Sequence, residues 1–226
     1  MKNLSDILQS ISAQPIAILD AAIPLSAYTP LDLSDGNADL ESFSIVDPAE
    51  CQTYIDGIVK STSAQVAYGG YLEKRNLYRD KVGFGGEALR NIHLGIDFWA
   101  AEGTSVLVPL EGTVHSFQNN DTVGDYGPTI ILRHEIENMV FYSLYGHLSL
   151  GSLEGLVIGN TFKQGDVLAT LGTPEINVNY APHLHFQLIQ DMEGKKGDYP
   201  GVCNENRVAF YAKNCPNPNF LLKITS

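Results

Sequence analysis

The stretch Ile92-His93-Leu94-Gly95-Ile96-Asp97-Phe98 decides how the chain is read. Leu94, Ile96 and Phe98 alternate with His93, Gly95 and Asp97, the period of two expected of a strand with one face in a core. Alternate residues of a strand share a face, so His93 and Asp97 point the same way and Gly95 leaves that face open between them. A second stretch repeats the design. In Pro182-His183-Leu184-His185-Phe186-Gln187 the two histidines share one face, and Leu184 and Phe186, with Leu188 beyond them, share the other.

Outward from these two stretches the same period recurs. Strands are predicted at Ser105–Leu110, Gly112–Phe117, Thr129–Arg133, Met139–Tyr145, Thr161-Phe162, Val167–Leu171 and His183–Gln190, with Gly or Pro in most of the gaps. Many short strands at close spacing predict a mainly β fold with an antiparallel sheet core, over about residues 82–192. The N-terminal part reads differently. Asp47-Pro48-Ala49-Glu50 combines an N-cap, a first-turn proline and a glutamate at N3, which predicts a helix running through Ile58-Val59. Residues 24–46 lack periodicity and are rich in Pro, Ser, Asp and Gly, so they read as loop. The division expected is a helical and irregular segment 1–64, a domain 65–194, and an Asn-, Gly- and Pro-rich extension 195–226 packing on it.

Composition narrows the function. The chain has 226 residues, 44% of them hydrophobic and 18% charged, which is enough apolar material for a core and excludes a disordered chain. Fourteen Lys+Arg against 26 Asp+Glu leave a net charge of −12, which disfavours nucleic acid or an anionic membrane as partner. No apolar run approaches the length of a membrane span, and Met1-Lys2-Asn3-Leu4-Ser5-Asp6 does not open an export signal, so a cytoplasmic location is expected. Cys51, Cys203 and Cys215 are odd in number and form no CxxC pair. They read as reduced thiols rather than a disulfide framework or a structural zinc site.

Of six histidines, His93, His115, His134, His147, His183 and His185, four sit where chemistry could use them. Zinc takes imidazole nitrogen and carboxylate oxygen, and a catalytic zinc uses three protein ligands and keeps a fourth position for water. Two histidines and Asp97 would fill three. Nearby histidines without a ligand role could then orient that water and move its proton. Taken singly, a His-x-His or a His-x-x-x-Asp pair reads more readily as packed or surface histidine. The spacing also leaves open which of His183 and His185 would be the ligand.

The order of motifs resembles the lysostaphin/LytM-type zinc endopeptidases, glycyl-glycine peptidases with a duplicated hybrid motif β fold. The resemblance runs over roughly residues 90–190. It takes in Arg90-Asn91-Ile92-His93-Leu94-Gly95-Ile96-Asp97, Gly103-Thr104-Ser105-Val106, Glu111-Gly112-Thr113-Val114 and Tyr126 to His134. It continues through Tyr145-Gly146-His147-Leu148 and Phe162 to Asp166, and closes on Pro182 to Phe186. It implies that His93, Asp97 and His185 hold one zinc ion per chain and that His147 and His183 are the catalytic histidines. The activity implied is hydrolysis of peptide bonds, in peptidoglycan-type cross-links or short peptides, through a metal-bound water. His134 reads as structural and His115 as a surface residue.

Two departures stand out. Glu87 to Ile92, just before the first ligand position, contain no tyrosine to polarise a substrate carbonyl, and Tyr71 and Tyr78 lie further off. Glu175 to Ala181 replace the small glycine-containing loop usual before the His-x-His. The segments Tyr71 to Arg75 and Gly197 to Val202 are similar instead to a subgroup in which such a domain is fused between a kinase-like phosphotransferase and a class III aminotransferase. That likeness, with the acidity, keeps two other readings in view: an intracellular zinc amidohydrolase acting on a small amide or peptide, and a non-catalytic regulatory module. The retention of all five site positions weighs against the second.

Overall fold

The computed structural model describes residues 3–43, 47–75, 89–122, 124–177 and 181–224. The helices are α1 (Leu4–Ile11), α2 (Pro48–Thr62), α3 (Val208–Asn214) and α4 (Asn219–Leu222). The strands are β1 (Tyr28–Pro30), β2 (Val66–Gly69), β3 (Ile92–His93), β4 (Ile96–Trp99), β5 (Ser105–Leu107) and β6 (Gly112–Asn120). They continue with β7 (Gly127–Ile136), β8 (Met139–Gly146), β9 (Thr161–Phe162), β10 (Val167–Thr170), β11 (His183–Ile189) and β12 (Val202–Cys203). Among the described residues the fold is mainly β. One eight-stranded sheet has the order β1-β2-β4-β11-β8-β7-β6-β9, and β10–β5 and β12–β3 form two short ribbons.

Among the described residues every strand pairing is antiparallel except that of β1 with β2, which makes the large sheet mixed rather than purely antiparallel. This corrects the reading of residues 24–46 as loop. Tyr28 and Thr29 are good strand formers, and Pro30, which has no N–H to give, sits where a sheet margin tolerates it. The Leu31 N–H then donates to the Tyr68 carbonyl at 2.8 Å and prolongs the pairing. The helix start at Asp47 is as expected: its carboxylate accepts from the N–H groups of Ala49 and Glu50 at 2.8 and 3.1 Å.

A second correction concerns the opening stretch. Ile92–Phe98 is not one strand. It breaks at Leu94-Gly95, with β3 pairing to β12 and β4 pairing to β11 and β2. The break has a packing cause. Ile96 and Phe98 join the main core with Leu184, Phe186, Leu188, Ile130, Leu132 and Tyr145. Leu94 turns instead into a separate cluster with Ile92, Tyr126, Ile131, Leu144, Tyr199 and Cys203. A third cluster joins Leu31, Leu33, Cys51, Tyr54 and Ile55 to Ala67 and Trp99, and so seats α2 against the sheet beside β4. At the far end of the chain, Leu221 and Leu222 of α4 share the main core with Leu4 and Leu8 of α1. The three cysteines are free and buried, and no helix among the described residues is long and apolar enough to cross a membrane.

Candidate metal centre

β4 and β11 are neighbours with Asp97 opposite His185 and Trp99 opposite His183. On its other side β11 places His185 opposite Gly146, so the chain leaves β8 at His147 beside the same two histidines. β3 brings His93 in from the other side of the Leu94-Gly95 break. All five side chains are buried: His93 is 2% exposed, Asp97 and His185 3%, and His147 and His183 6%.

Three of them converge. His93 Nε2 lies 2.9 Å from His185 Nδ1 and 3.2 Å from Asp97 Oδ1, and His185 Nδ1 lies 3.0 Å from Asp97 Oδ1. The outer nitrogens fix the tautomers. His93 Nδ1 faces the Gly70 carbonyl at 2.9 Å, and a carbonyl only accepts, so the hydrogen sits on Nδ1 and the lone pair on Nε2. His185 Nε2 faces Gln187 Oε1 at 3.0 Å. That amide cannot be turned round, because Gln187 Nε2 donates to the Pro200 carbonyl at 3.1 Å. The His185 hydrogen is therefore on Nε2 and its lone pair on Nδ1. Two imidazole lone pairs and a carboxylate oxygen thus point at one another with no hydrogen between the two nitrogens, an arrangement that repels itself unless a cation joins them.

The spacing suits zinc. Bonds of 2.0–2.2 Å in a tetrahedron set neighbouring ligand atoms about 3.3–3.6 Å apart, so the 2.9–3.2 Å seen here needs to open by about half an ångström to seat the ion. Nitrogen and carboxylate donors suit zinc better than calcium or magnesium. Among the described residues this is the one group of three or more His, Cys, Asp or Glu side chains that could hold a metal ion.

The electrostatics agree with ligand-ready protonation states. Burial, helped by the Arg75 charge, lowers the His93 pKa to about 4, so its imidazole is neutral. Burial alone would raise the Asp97 pKa, but the polar groups gathered around it, the Arg75 guanidinium among them, hold it well below the usual carboxylate range. His147 and His183 are also pushed down, chiefly by burial. Their rings lie together, centroids 4.1 Å apart, and the His183 ring stacks on Trp99 at 5.6 Å. His183 Nδ1 donates to the Ala181 carbonyl at 2.6 Å, which leaves its Nε2 as the basic nitrogen. His147 has a left-handed backbone, φ 61°, held by its N–H to the Tyr126 carbonyl at 2.8 Å and by Asn177 Nδ2 donating to its carbonyl at 3.0 Å.

Gly95 proves to be a steric requirement. A Cβ there would sit 2.7 Å from the Phe186 carbonyl oxygen and 2.8 Å from the His185 ring. The space read from sequence as an open face is where His185 lies.

His134 stands apart from this group. Its Nδ1 faces the Glu111 carbonyl at 2.8 Å and its Nε2 faces Ser143 Oγ at 2.7 Å. His115 is half-buried rather than a plain surface residue: Nδ1 bonds Ser116 Oγ at 2.8 Å and the ring packs edge-on against Tyr142. Tyr71 Oη donates to the Cys215 carbonyl at 2.8 Å and is engaged there. Tyr78, and Val178 to Tyr180 of the unusual loop, lie outside the described residues. Two residues beside the site carry no signal of a role there in the sequence. Gln187 looked like one more residue of a strand, and Arg75 belonged to a segment with no period at all.

The family comparison falls on the same residues. The family model described as peptidase family M23 matches residues 91–198. An "uncharacterized metalloprotease" of Haemophilus influenzae is 34% identical over 95 residues, 42% of this chain. The match spans only 18% of that protein's length. Two solved structures are similar at TM-scores of 0.40 and 0.39. The first is a mutant catalytic domain of the prophage-encoded M23 protein EnpA of Enterococcus faecalis, at 20% identity, covering 61% of this chain and 86% of that one. The second is the catalytic domain of lysostaphin of Staphylococcus simulans, at 23% identity, covering 64% and 87%. The family match begins two residues before His93 and takes in Asp97, His147, His183 and His185, so that residues 91–198 of this chain are similar to peptidase family M23 across the whole of the converging group.

Proposed function

We propose that this domain is a zinc-dependent peptide-bond hydrolase, with His93 Nε2, Asp97 Oδ1 and His185 Nδ1 as the ligands of one zinc ion per chain and His147 and His183 as its acid–base groups. The observation that carries the reading is the convergence of the two imidazole lone pairs and the carboxylate oxygen within 2.9–3.2 Å. Zinc at this position supplies Lewis acidity towards water and towards a peptide carbonyl. The chain's own residues do the rest. His183, with Nδ1 committed to Ala181, can take a proton at Nε2. His147, held beside it, is placed to share proton transfer to the departing amine. Burial keeps both neutral before the reaction, which is the form a general base needs. The substrate class proposed is a peptide, either a short peptide or a peptidoglycan-type cross-link.

The test is metal analysis joined to an activity screen. Purified protein should carry one zinc per chain, and incubation with peptidoglycan fragments and a dipeptide panel should release new amines. A chelator should stop that release and added zinc restore it. Protein that holds no transition metal and binds no added zinc overturns the reading.

A further inference from the structure

Arg75 is 2% exposed, one of the largest fully buried side chains. It also reaches the converging triad directly. Its Nη1 donates to Asp97 Oδ2 at 2.6 Å, while Asp97 Oδ1 is the oxygen that faces His93 and His185. Its Nε donates to Glu73 Oε2, and Glu73 Oε1 accepts the Leu33 N–H at 3.1 Å. The guanidinium carbon lies 5.7 Å from the Trp99 ring centroid. One planar group therefore spans two carboxylates and rests near an indole, a task for a fork of fixed N–H directions and not for a point charge.

The turn that delivers Arg75 is built around the same triad. Gly70 gives its carbonyl to His93 Nδ1. The Leu72 N–H donates to the His93 carbonyl, the His93 N–H to the Glu73 carbonyl, and the Arg75 N–H to the Asn91 carbonyl, at 2.8–2.9 Å. Gly70 has φ 106°, and a Cβ there would lie 1.9 Å from Arg75 Nη2 and 3.0 Å from His93 Nδ1. Only glycine lets the turn pass between these two side chains.

We propose that Arg75 is a positioning residue that holds Asp97 to one-oxygen ligation: by occupying Oδ2 it leaves Oδ1 alone to the metal, and so keeps the metal's remaining coordination open. The inference rests on the zinc reading above and goes beyond it. A free carboxylate beside a dication can swing to present both oxygens, which would fill a position that substrate or water needs. Glu73 completes the device, because it balances the second face of the guanidinium and fixes its rotation.

Cobalt(II) separates the two readings, since its visible absorption is strong in four-coordinate sites and weaker when a fifth ligand enters. Wild-type protein, Arg75→Lys and the double variant Glu73→Gln/Arg75→Met are each titrated with cobalt(II) and then with zinc against a competing chelator. Arg75→Lys keeps a buried cation, and the double variant removes both members of the Glu73–Arg75 pair, so neither leaves an isolated buried charge in that pair. The expected result is one cobalt per wild-type chain with strong visible absorption. Both variants should show weaker, shifted absorption and zinc affinity lower by about 10–100-fold, the usual cost of losing a group that orients a ligand. Variants that match wild type in spectrum and affinity, or bind more tightly with an unchanged spectrum, overturn the role of Arg75 and leave the zinc reading intact. Wild-type protein that takes up neither metal overturns the zinc reading itself.

Discussion

Two buried histidine arrangements in this molecule use similar parts to opposite ends. His134, on β7, has both ring nitrogens occupied by oxygen partners, the Glu111 carbonyl and Ser143 Oγ. His93 and His185 are buried to the same degree, but each spends only one nitrogen on the protein and turns the other towards Asp97. Burial alone therefore does not mark a metal ligand. The distinguishing feature is a lone pair left over after the fold's own hydrogen bonds are counted, and in this protein two such lone pairs meet at a carboxylate.

The sharpest way to break this comparison is to exchange the fates of the two kinds of histidine. His185→Ala should lose metal and hydrolysis together, with zinc per chain falling from one towards zero by elemental analysis. His134→Gln should keep its zinc and its turnover. A retained zinc in His185→Ala would show that the converging lone pairs are not the binding feature. Next in size come the two histidines beside the triad. His147→Ala and His183→Ala should each keep zinc bound and slow hydrolysis by about 10²–10⁴-fold, the range for a positioned acid–base group. Unchanged turnover in both would remove them from the mechanism.

A smaller effect tests the outer hydrogen bond. Gln187→Leu takes away the acceptor that holds the hydrogen on His185 Nε2. Zinc affinity should drop by about 10–100-fold by chelator competition, with the fold kept. The smallest effect is thermodynamic and belongs to His134. Burial lowers its pKa to about 4, opposed by the bond to Glu111. Its unfolded pKa is about 6.5, so between these values the unfolded chain binds the extra proton. Stability from this group is complete above about pH 6.5 and is lost as pH falls towards 4, at up to about 1.4 kcal/mol per pH unit. Urea titrations at pH 7, 5.5 and 4.5 should show a shallower fall in His134→Gln than in wild type. Equal slopes would contradict the burial argument.

The legible and illegible parts of this fold divide on physical lines. Strand period, the glycine and proline gaps and the Asp47 cap are local signals, and they placed most of the sheet and α2. The His93–Asp97 and His183–His185 pairs were visible because a period of two puts them on shared faces. That His185 rather than His183 meets Asp97 and His93 is not legible from the spacing. It follows from the opposition of His185 to Asp97 across β11 and β4, with Gln187 turning His185 Nδ1 towards the carboxylate. Arg75 was equally hidden, because its partner Asp97 is 22 residues away and nothing between them repeats. The break at Leu94-Gly95 and the short strand Tyr28–Pro30 depend on non-local partners, β12 for the first and β2 for the second.

That short strand has a consequence for how the protein behaves in a crowded solution. The margin of a sheet offers unpaired N–H and C=O groups that other chains can recruit, and proteins blunt such margins with brief strands and proline. Here β1 is three residues long, ends in Pro30, and lies along β2, with α2 packed nearby. Were Tyr28–Pro30 lifted away, Val66–Gly69 would become the outermost strand, with its apolar residues no longer shielded. A margin so short gives other chains little to pair with, and a variant that frees Tyr28–Pro30 should show aggregation first, in light scattering.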